Sequence, residues 1–276
     1  MNSNPLSHYF RKPVLHVSLP SVGRFYPENA IDLIDDNQYP ILPLTRQDEM
    51  VFMTVTTQNN GSPVVSIIES CVPNIKDAWK MPAVDIDKLL VAIKIAAHGT
   101  KLDIVSVCTN CEQENTSTVD LQMAVELIES PNYDEPLRID DLEIYFQPVS
   151  YRQLNDNNLS QFDDESLITM LTDDSVDEQV KSDKIDELLS TIRKMATTVL
   201  SQNILYVQTP SGRVDEQEYI REWLSNCDSK IYMQLQGQVI KNKELAELKP
   251  AEITCASCAT QYQHVYNLDI SNNSPI

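Results

Sequence analysis

Apolar positions along the chain recur with two periods, and those periods predict alternating strands and helices. Val14 to Leu19 reads as a first strand and Tyr39 to Leu44 as a short edge strand, because Pro40 and Pro43 cannot donate to a ladder. Thr45 to Asp48 has the form of an acidic capping box and opens a helix expected to run to about Val55. Ser62-Pro63 opens another, through Cys71, that must stop before Pro73. Ile86, Leu89, Leu90, Ile93, Ala96 and Ala97 share one helical face, with Asp85 placed to cap it and Gly99 to end it. Leu137–Ile139 and Leu142–Phe146 alternate like a hairpin about Asp140-Asp141. Residues 151–171 read as an interrupted helix rich in Asn and Asp. A long helix should follow on the seam Val180, Ile185, Leu188, Leu189, Ile192, Met195, Ala196, Val199 and Leu200. Ile204–Val207 is a short strand ending in the turn Thr209–Gly212. Helices are then expected from Asp215 to Leu224 and from Lys230 to Leu248, before Pro250.

Two Cys-x-x-Cys turns interrupt this alternation, Cys108–Cys111 and Cys255–Cys258. Ile104–Val107 leads into the first and Thr118–Leu121 returns from it; Ile253-Thr254 leads into the second and His264–Leu268 returns. Strand, knuckle and returning strand make half a zinc ribbon, and two halves supply the four thiolates that closed structural zinc sites use. Ribbon knuckles are ordinarily about 15–20 residues apart; here residues 112–254 intervene. The halves meet only if that stretch is an insertion whose ends return together. A redox Cys-x-x-Cys wants a helix N-terminus behind it to lower the thiol pKa, and neither knuckle is followed by a helical pattern. That reading, and one of two unrelated turns, stay open beside zinc. His264 is placed to replace a thiolate. Cys71 and Cys227 read as small buried hydrophobes.

Composition narrows the class. Among 276 residues, 21 Lys and Arg face 41 Asp and Glu, a formal net charge of −20, which repels phosphate backbones and anionic lipid. No nucleic-acid or membrane partner is expected, and no small-molecule substrate. The first residues lack a secretion signal, so the cysteines are expected in a reducing cytosol, where paired knuckles mean metal more often than disulfide. Four histidines and 5 glycines leave little for acid–base chemistry or phosphate loops. No Gly-x-Ser-x-Gly, His-Glu-x-x-His or Walker pattern occurs. Adjacent acidic pairs such as Asp163-Asp164 and Asp173-Asp174 read as caps and solvated turns. In Pro20–Pro27, Phe25 and Tyr26 either plug the edge of the first subdomain or anchor a partner.

Leu19-Pro20-Ser21-Val22-Gly23-Arg24-Phe25-Tyr26-Pro27, then Ile41-Leu42-Pro43-Leu44-Thr45 with Asp48-Glu49, then Ile67-Ile68-Glu69-Ser70-Cys71-Val72-Pro73 resemble the baseplate hub protein of T-even-type contractile-tailed bacteriophages. Ile86-Asp87-Lys88-Leu89-Leu90 and the knuckle Cys108–Cys111 fit the same pattern. The resemblance covers residues 14–150. It implies a non-enzymatic hub subunit or hub-assembly factor, in the host cytoplasm during assembly and in the virion's tail baseplate, with other hub and tail proteins as partners. It carries no catalytic residues.

The expected fold is α+β: a small mixed sheet with a four-cysteine zinc ribbon and an inserted helical region. Residues 1–13 form an arm and 14–150 an α+β domain with the first knuckle. Residues 151–250 form the helical region, and 251–276 the second knuckle and tail, packing back on the first. Cys108, Cys111, Cys255 and Cys258 are the expected ligands of one structural zinc. The alternatives are a zinc-ribbon protein–protein adaptor outside a virion and, more weakly, a thiol-redox enzyme.

Overall fold

The computed structural model describes residues 4–53, 61–159, 191–192 and 194–266. The seam from Val180 to Leu189, the helical expectation beyond residue 159, the helix end near Val55 and the tail from Ser271 lie outside them. The class is α+β, with two compact units: residues 1–130 joined by 245–276, and residues 131–244.

In the first unit, β1 (Leu15–Val17) pairs antiparallel with β2 (Tyr39–Ile41), burying Val17, Tyr39 and Ile41. Helix α1 (Arg46–Met53) starts at the expected capping box: Thr45 N–H donates to Asp48 Oδ2 at 2.7 Å and Asp48 N–H donates to Thr45 Oγ1 at 3.2 Å. Arg11 seals that corner, donating to Asp48 Oδ2 at 3.1 Å, Pro43 O at 2.8 Å and Ser70 O at 2.6 Å. The N-terminal arm is thus pinned at its base. Helix α2 (Ser62–Cys71) has Pro63 in its first turn and buries Val65, Ile67, Ile68 and Cys71.

Helix α3 (Ile86–His98) is the spine of this unit and ends at Gly99, whose φ of +88° suits glycine. Its start differs from expectation. Asp85 makes no capping bond; its fully buried carboxylate accepts from Ser21 N–H at 2.8 Å, Ser21 Oγ at 2.6 Å and Tyr26 Oη at 2.8 Å. Three donors on a buried carboxylate outcompete one solvated cap. They hold a loop in which Val22 and Phe25 both take positive φ, 56° and 67°. Tyr26 is thus tied into the fold through its hydroxyl, while Phe25 lies under the Arg24 guanidinium at 5.1 Å.

Two hairpins complete the unit. β3 (Lys101–Val107) pairs with β4 (Glu114–Asp120), which leads into the short α4 (Leu121–Glu126). β9 (Ala251–Thr254) pairs with β10 (Gln261–His264). The return strand begins at Gln261 rather than His264, because the turn has already closed at Thr260. Leu102, Ile104, Leu121, Val125, Ala251, Ile253 and Tyr262 form one buried cluster with Val91 and Ile95 of α3.

In the second unit, β5 (Leu137–Ile139), β6 (Leu142–Phe146), β7 (Ile204–Thr209) and β8 (Gly212–Val214) form one antiparallel sheet in that order. Helical residues 151–159 (α5) and 194–202 (α6) fall between β6 and β7. Helix α7 (Gln217–Asn226) packs on β7, and α8 (Ser229–Ala246) follows, its last residues from Leu245 belonging to the first unit. Ile139, Ile144, Phe146, Ile204 and Val207 are buried. Towards the other face Tyr145 stacks on Tyr206 at 4.5 Å, and Arg213 caps that ring at 4.0 Å.

Three expectations are corrected. The sheet is not one mixed sheet: the described strands make three two-stranded sheets and one four-stranded sheet, all antiparallel, and only the β6–β7 pair of the larger sheet joins strands from either side of residues 147–203. The hairpin Leu137–Phe146 belongs to the second unit, since Ile144 and Tyr145 pair with Val207 and Tyr206; the insertion is therefore α+β rather than helical. Cys227 is only half-buried at the end of α7, whereas Cys71 is fully buried as expected. No helix among the described residues is long and apolar enough to cross a membrane.

Candidate metal centre

Each knuckle is a tight turn between the strands of its hairpin, and the two turns repeat the same bonding pattern. Cys108 N–H donates to Gln113 O at 3.0 Å and Glu112 N–H to Cys108 O at 3.0 Å; Cys255 N–H donates to Thr260 O at 2.9 Å and Ala259 N–H to Cys255 O at 3.0 Å. Glu112 and Ala259, each just after the second cysteine, both take φ of +57°. That left-handed residue turns the chain back so that both sulfurs of a knuckle face the same side.

Folding brings the knuckles together. Cys108 Sγ lies 3.7 Å from Cys258 Sγ, and Cys111 Sγ lies 3.6 Å from Cys255 Sγ. All four sulfurs lie within 4.8 Å of one another. A tetrahedral zinc with Zn–S bonds of about 2.3 Å would set its sulfurs about 3.8 Å apart. The donor set therefore fits a thiolate-bound metal, and these four cysteines could hold a metal ion. Cys108 and Cys255 are buried in the hairpin core, while Cys111 and Cys258 are exposed. One edge of the cluster is packed and the other is open to an arriving ion. All six cysteines are free thiols.

The protons of the cluster are unequally held. At Cys258 the Thr260 hydroxyl and backbone N–H, then the Cys111 thiol and the Asn110 amide, stabilise the thiolate and pull it down to about 5. Cys255 is lowered as well, first by the Cys258 backbone N–H, with burial opposing and Ser257, Asn115 and Cys111 assisting. At Cys111 a backbone hydrogen bond from Gln113 favours the thiolate, but the Cys258 sulfur, burial and the Cys255 and Cys108 sulfurs outweigh it and push the thiol up to about 12. The thiolate is the form that ligates metal.

His264 stands outside this set. It pairs with Ala251 at the end of the second hairpin remote from its turn. Two residues that the sequence did not single out join the ribbons. Asn115 on β4 is buried; its Nδ2 donates to Gln113 O at 2.9 Å and Cys255 Sγ at 3.6 Å, and its Oδ1 accepts from Ala256 N–H at 2.9 Å. Tyr262 Oη lies 2.7 Å from Ser106 Oγ, both buried. The sole sequence signal was a low-propensity Asn at an inward strand position.

A family model described as T4 bacteriophage base plate protein matches residues 27–271. No curated protein and no solved structure matches the chain. The matched span contains both knuckles and everything between them, and it begins just after the Leu19–Tyr26 loop. With nearly its whole length inside that match, the chain belongs to the T4 bacteriophage base plate protein family.

Proposed function

We propose that this chain is a non-enzymatic structural or assembly subunit of a contractile phage tail baseplate hub, acting through contacts with other hub and tail proteins. Membership of the base plate family supports a structural role in the tail and interaction with other tail proteins. The hub assignment rests on the segments Leu19–Pro27, Ile41–Glu49 and Ile67–Pro73, which resemble hub proteins. The protein acts in the host cytoplasm during assembly and in the tail baseplate of the virion. A net charge of −20 supports protein rather than nucleic-acid partners.

Cys108, Cys111, Cys255 and Cys258 hold one structural zinc in this reading, and the near-tetrahedral spacing of their sulfurs is the observation that carries it. When bound, the metal cross-links the two knuckles and offers no open position for a substrate. The cysteines close the chain on either side of the long insertion, and the insertion is left to carry contacts of its own. Purified particles and free assembly intermediates, analysed for this chain and for zinc, test both halves. The expected result is the chain in baseplate or hub fractions with about one zinc per copy. Absence from every tail fraction overturns the hub role; a folded chain without zinc, after purification free of chelators, overturns the metal.

A further inference from the structure

Building on the zinc reading above, we propose that Asn115 is the positioning residue that closes the split four-cysteine site. Its side-chain amide latches the second knuckle onto the first and orients the Cys255 sulfur for the metal. The problem it answers is topological. Cys111 and Cys255 are 144 positions apart, and the β3–β4 and β9–β10 ribbons share no backbone ladder. Nothing in the strand pairing sets their relative register, so side chains must.

Asn115 makes three bonds, and each has a distinct use. Its Nδ2 donates to Gln113 O at 2.9 Å, which fixes the amide in its own turn. Its Oδ1 accepts the Ala256 N–H at 2.9 Å, which ties down the backbone of the opposite turn one residue after Cys255. The remaining Nδ2 proton points to Cys255 Sγ at 3.6 Å, a donor to a metal-ligating sulfur. Burial at 6% exposure keeps water from substituting for any of them. Groups that hydrogen-bond a ligand in this way typically change metal affinity by about 10–100-fold.

The opposite ribbon has a counterpart. Asn115 pairs with Ser106 across the first hairpin, and Tyr262 pairs with Ile253 across the second. Asn115 and Tyr262 each sit at the first return-strand position turned inward after their knuckle, and each reaches across, Tyr262 to Ser106 at 2.7 Å. The Tyr262 hydroxyl bonds Ser106 rather than a sulfur. Asn115 bonds both the opposite backbone and a cysteine, which separates positioning from plain packing. Thr116, next along β4 and exposed, makes no such reach and serves as the control.

The test uses the full chain. Zinc affinity is measured by competition with a colorimetric chelator, the ligand field by cobalt(II) absorption, and the latch by amide hydrogen exchange at Ala256 in metal-stripped protein. Asn115→Leu removes the amide. Asn115→Asp keeps an acceptor for Ala256 but loses the donor to Cys255. The expected result is zinc binding weakened about 10–100-fold in both, with an altered cobalt spectrum, against little change in Thr116→Ala. Ala256 protection should be lost in Asn115→Leu and kept in Asn115→Asp. If Asn115→Leu does not fold, Asn115→Asp decides: parental zinc affinity there overturns the orienting role. Equal Ala256 exchange in parent and Asn115→Leu overturns the latch. A wild-type chain that takes no zinc overturns the metal reading and the orienting role together, and leaves the latch to the exchange measurement.

Discussion

Residue chemistry in this protein is dominated by a few buried polar groups that are fully partnered. Asp85 is pushed up to about 6, because burial outweighs the hydrogen bonds from Ser21 and Tyr26 and the nearby Lys88 charge. Its folded pKa lies above the unfolded value near 3.8. The stability it contributes is therefore complete below that value and lost as pH rises through about 6. The gap between the stability curves of the parent and of Asp85→Asn should change by on the order of 3 kcal/mol across that window and stay constant above it; parallel curves across the window would contradict this. The thiols divide similarly. Cys71 is pushed up to about 11, first by burial and then by Asp48. It is inert packing, and Cys71→Ala should cost about 1 kcal/mol on large-to-small trends. Cys108→Ser or Cys255→Ser opens the proposed zinc site and should cost several times more, read as melting temperatures in zinc-containing buffer. Equal losses would remove the metal assignment.

Elements here are stabilised at their ends as much as along their faces. Helix α1 depends on the Thr45–Asp48 box and on Arg11, whose contacts with Asp48, Pro43 and Ser70 bind the arm to α1 and α2. Desolvation opposes ionisation of Asp48, but the Thr45 and Ser70 hydrogen bonds and the Arg11 charge prevail and lower its pKa. Its contribution is thus present at neutral pH and lost as pH falls through that lowered value. Asp48→Ala should cost about 1–2 kcal/mol, as lost N-terminal caps do, with the penalty shrinking in acid. Denaturant melts at neutral and acidic pH measure it, and a penalty that grows in acid would sink the idea. Gly23 holds the turn between β1 and β2: an added Cβ would meet Leu33 Cδ2 at 2.9 Å and Tyr39 Oη at 3.0 Å, at a φ of +72°. Gly23→Ala should destabilise the first unit, whereas Gly237→Ala, with open space on α8, should be neutral or mildly stabilising.

At the scale of the whole molecule, both knuckles lie in the first unit and the intervening sheet and helices form the second. Chelation should consequently lower the unfolding temperature of the first unit while leaving the second near its parental value. Calorimetry with and without chelator, with fragments assigned by limited proteolysis, reads this out; an equal shift in both units would mean that the proposed zinc is not local to the ribbon. A charge of −20 also forecasts no salt-sensitive binding to duplex or single-stranded DNA, and micromolar binding at physiological salt would return the ribbon to a nucleic-acid role.

Local patterns determined what is local. The capping box at Thr45, Pro63 in the first turn of α2, Gly99 behind α3 and the two strand–knuckle hairpins were all legible, because each is set by contacts within a few residues. The four knuckle cysteines were legible for the same reason. What the sequence could not decide was which distant groups share a site. Asp85 reads as a helix cap until Ser21 and Tyr26 arrive from 64 and 59 positions away. Ile204–Val207 reads as an isolated strand until β6 supplies its partner. Asn115 is no more than a low-propensity Asn on a strand until Cys255 and Ala256 come within hydrogen-bond reach. Hydrogen-bond donors and sulfurs act over a few ångströms of space, not of sequence, so only the tertiary structure could bring the second knuckle to the first.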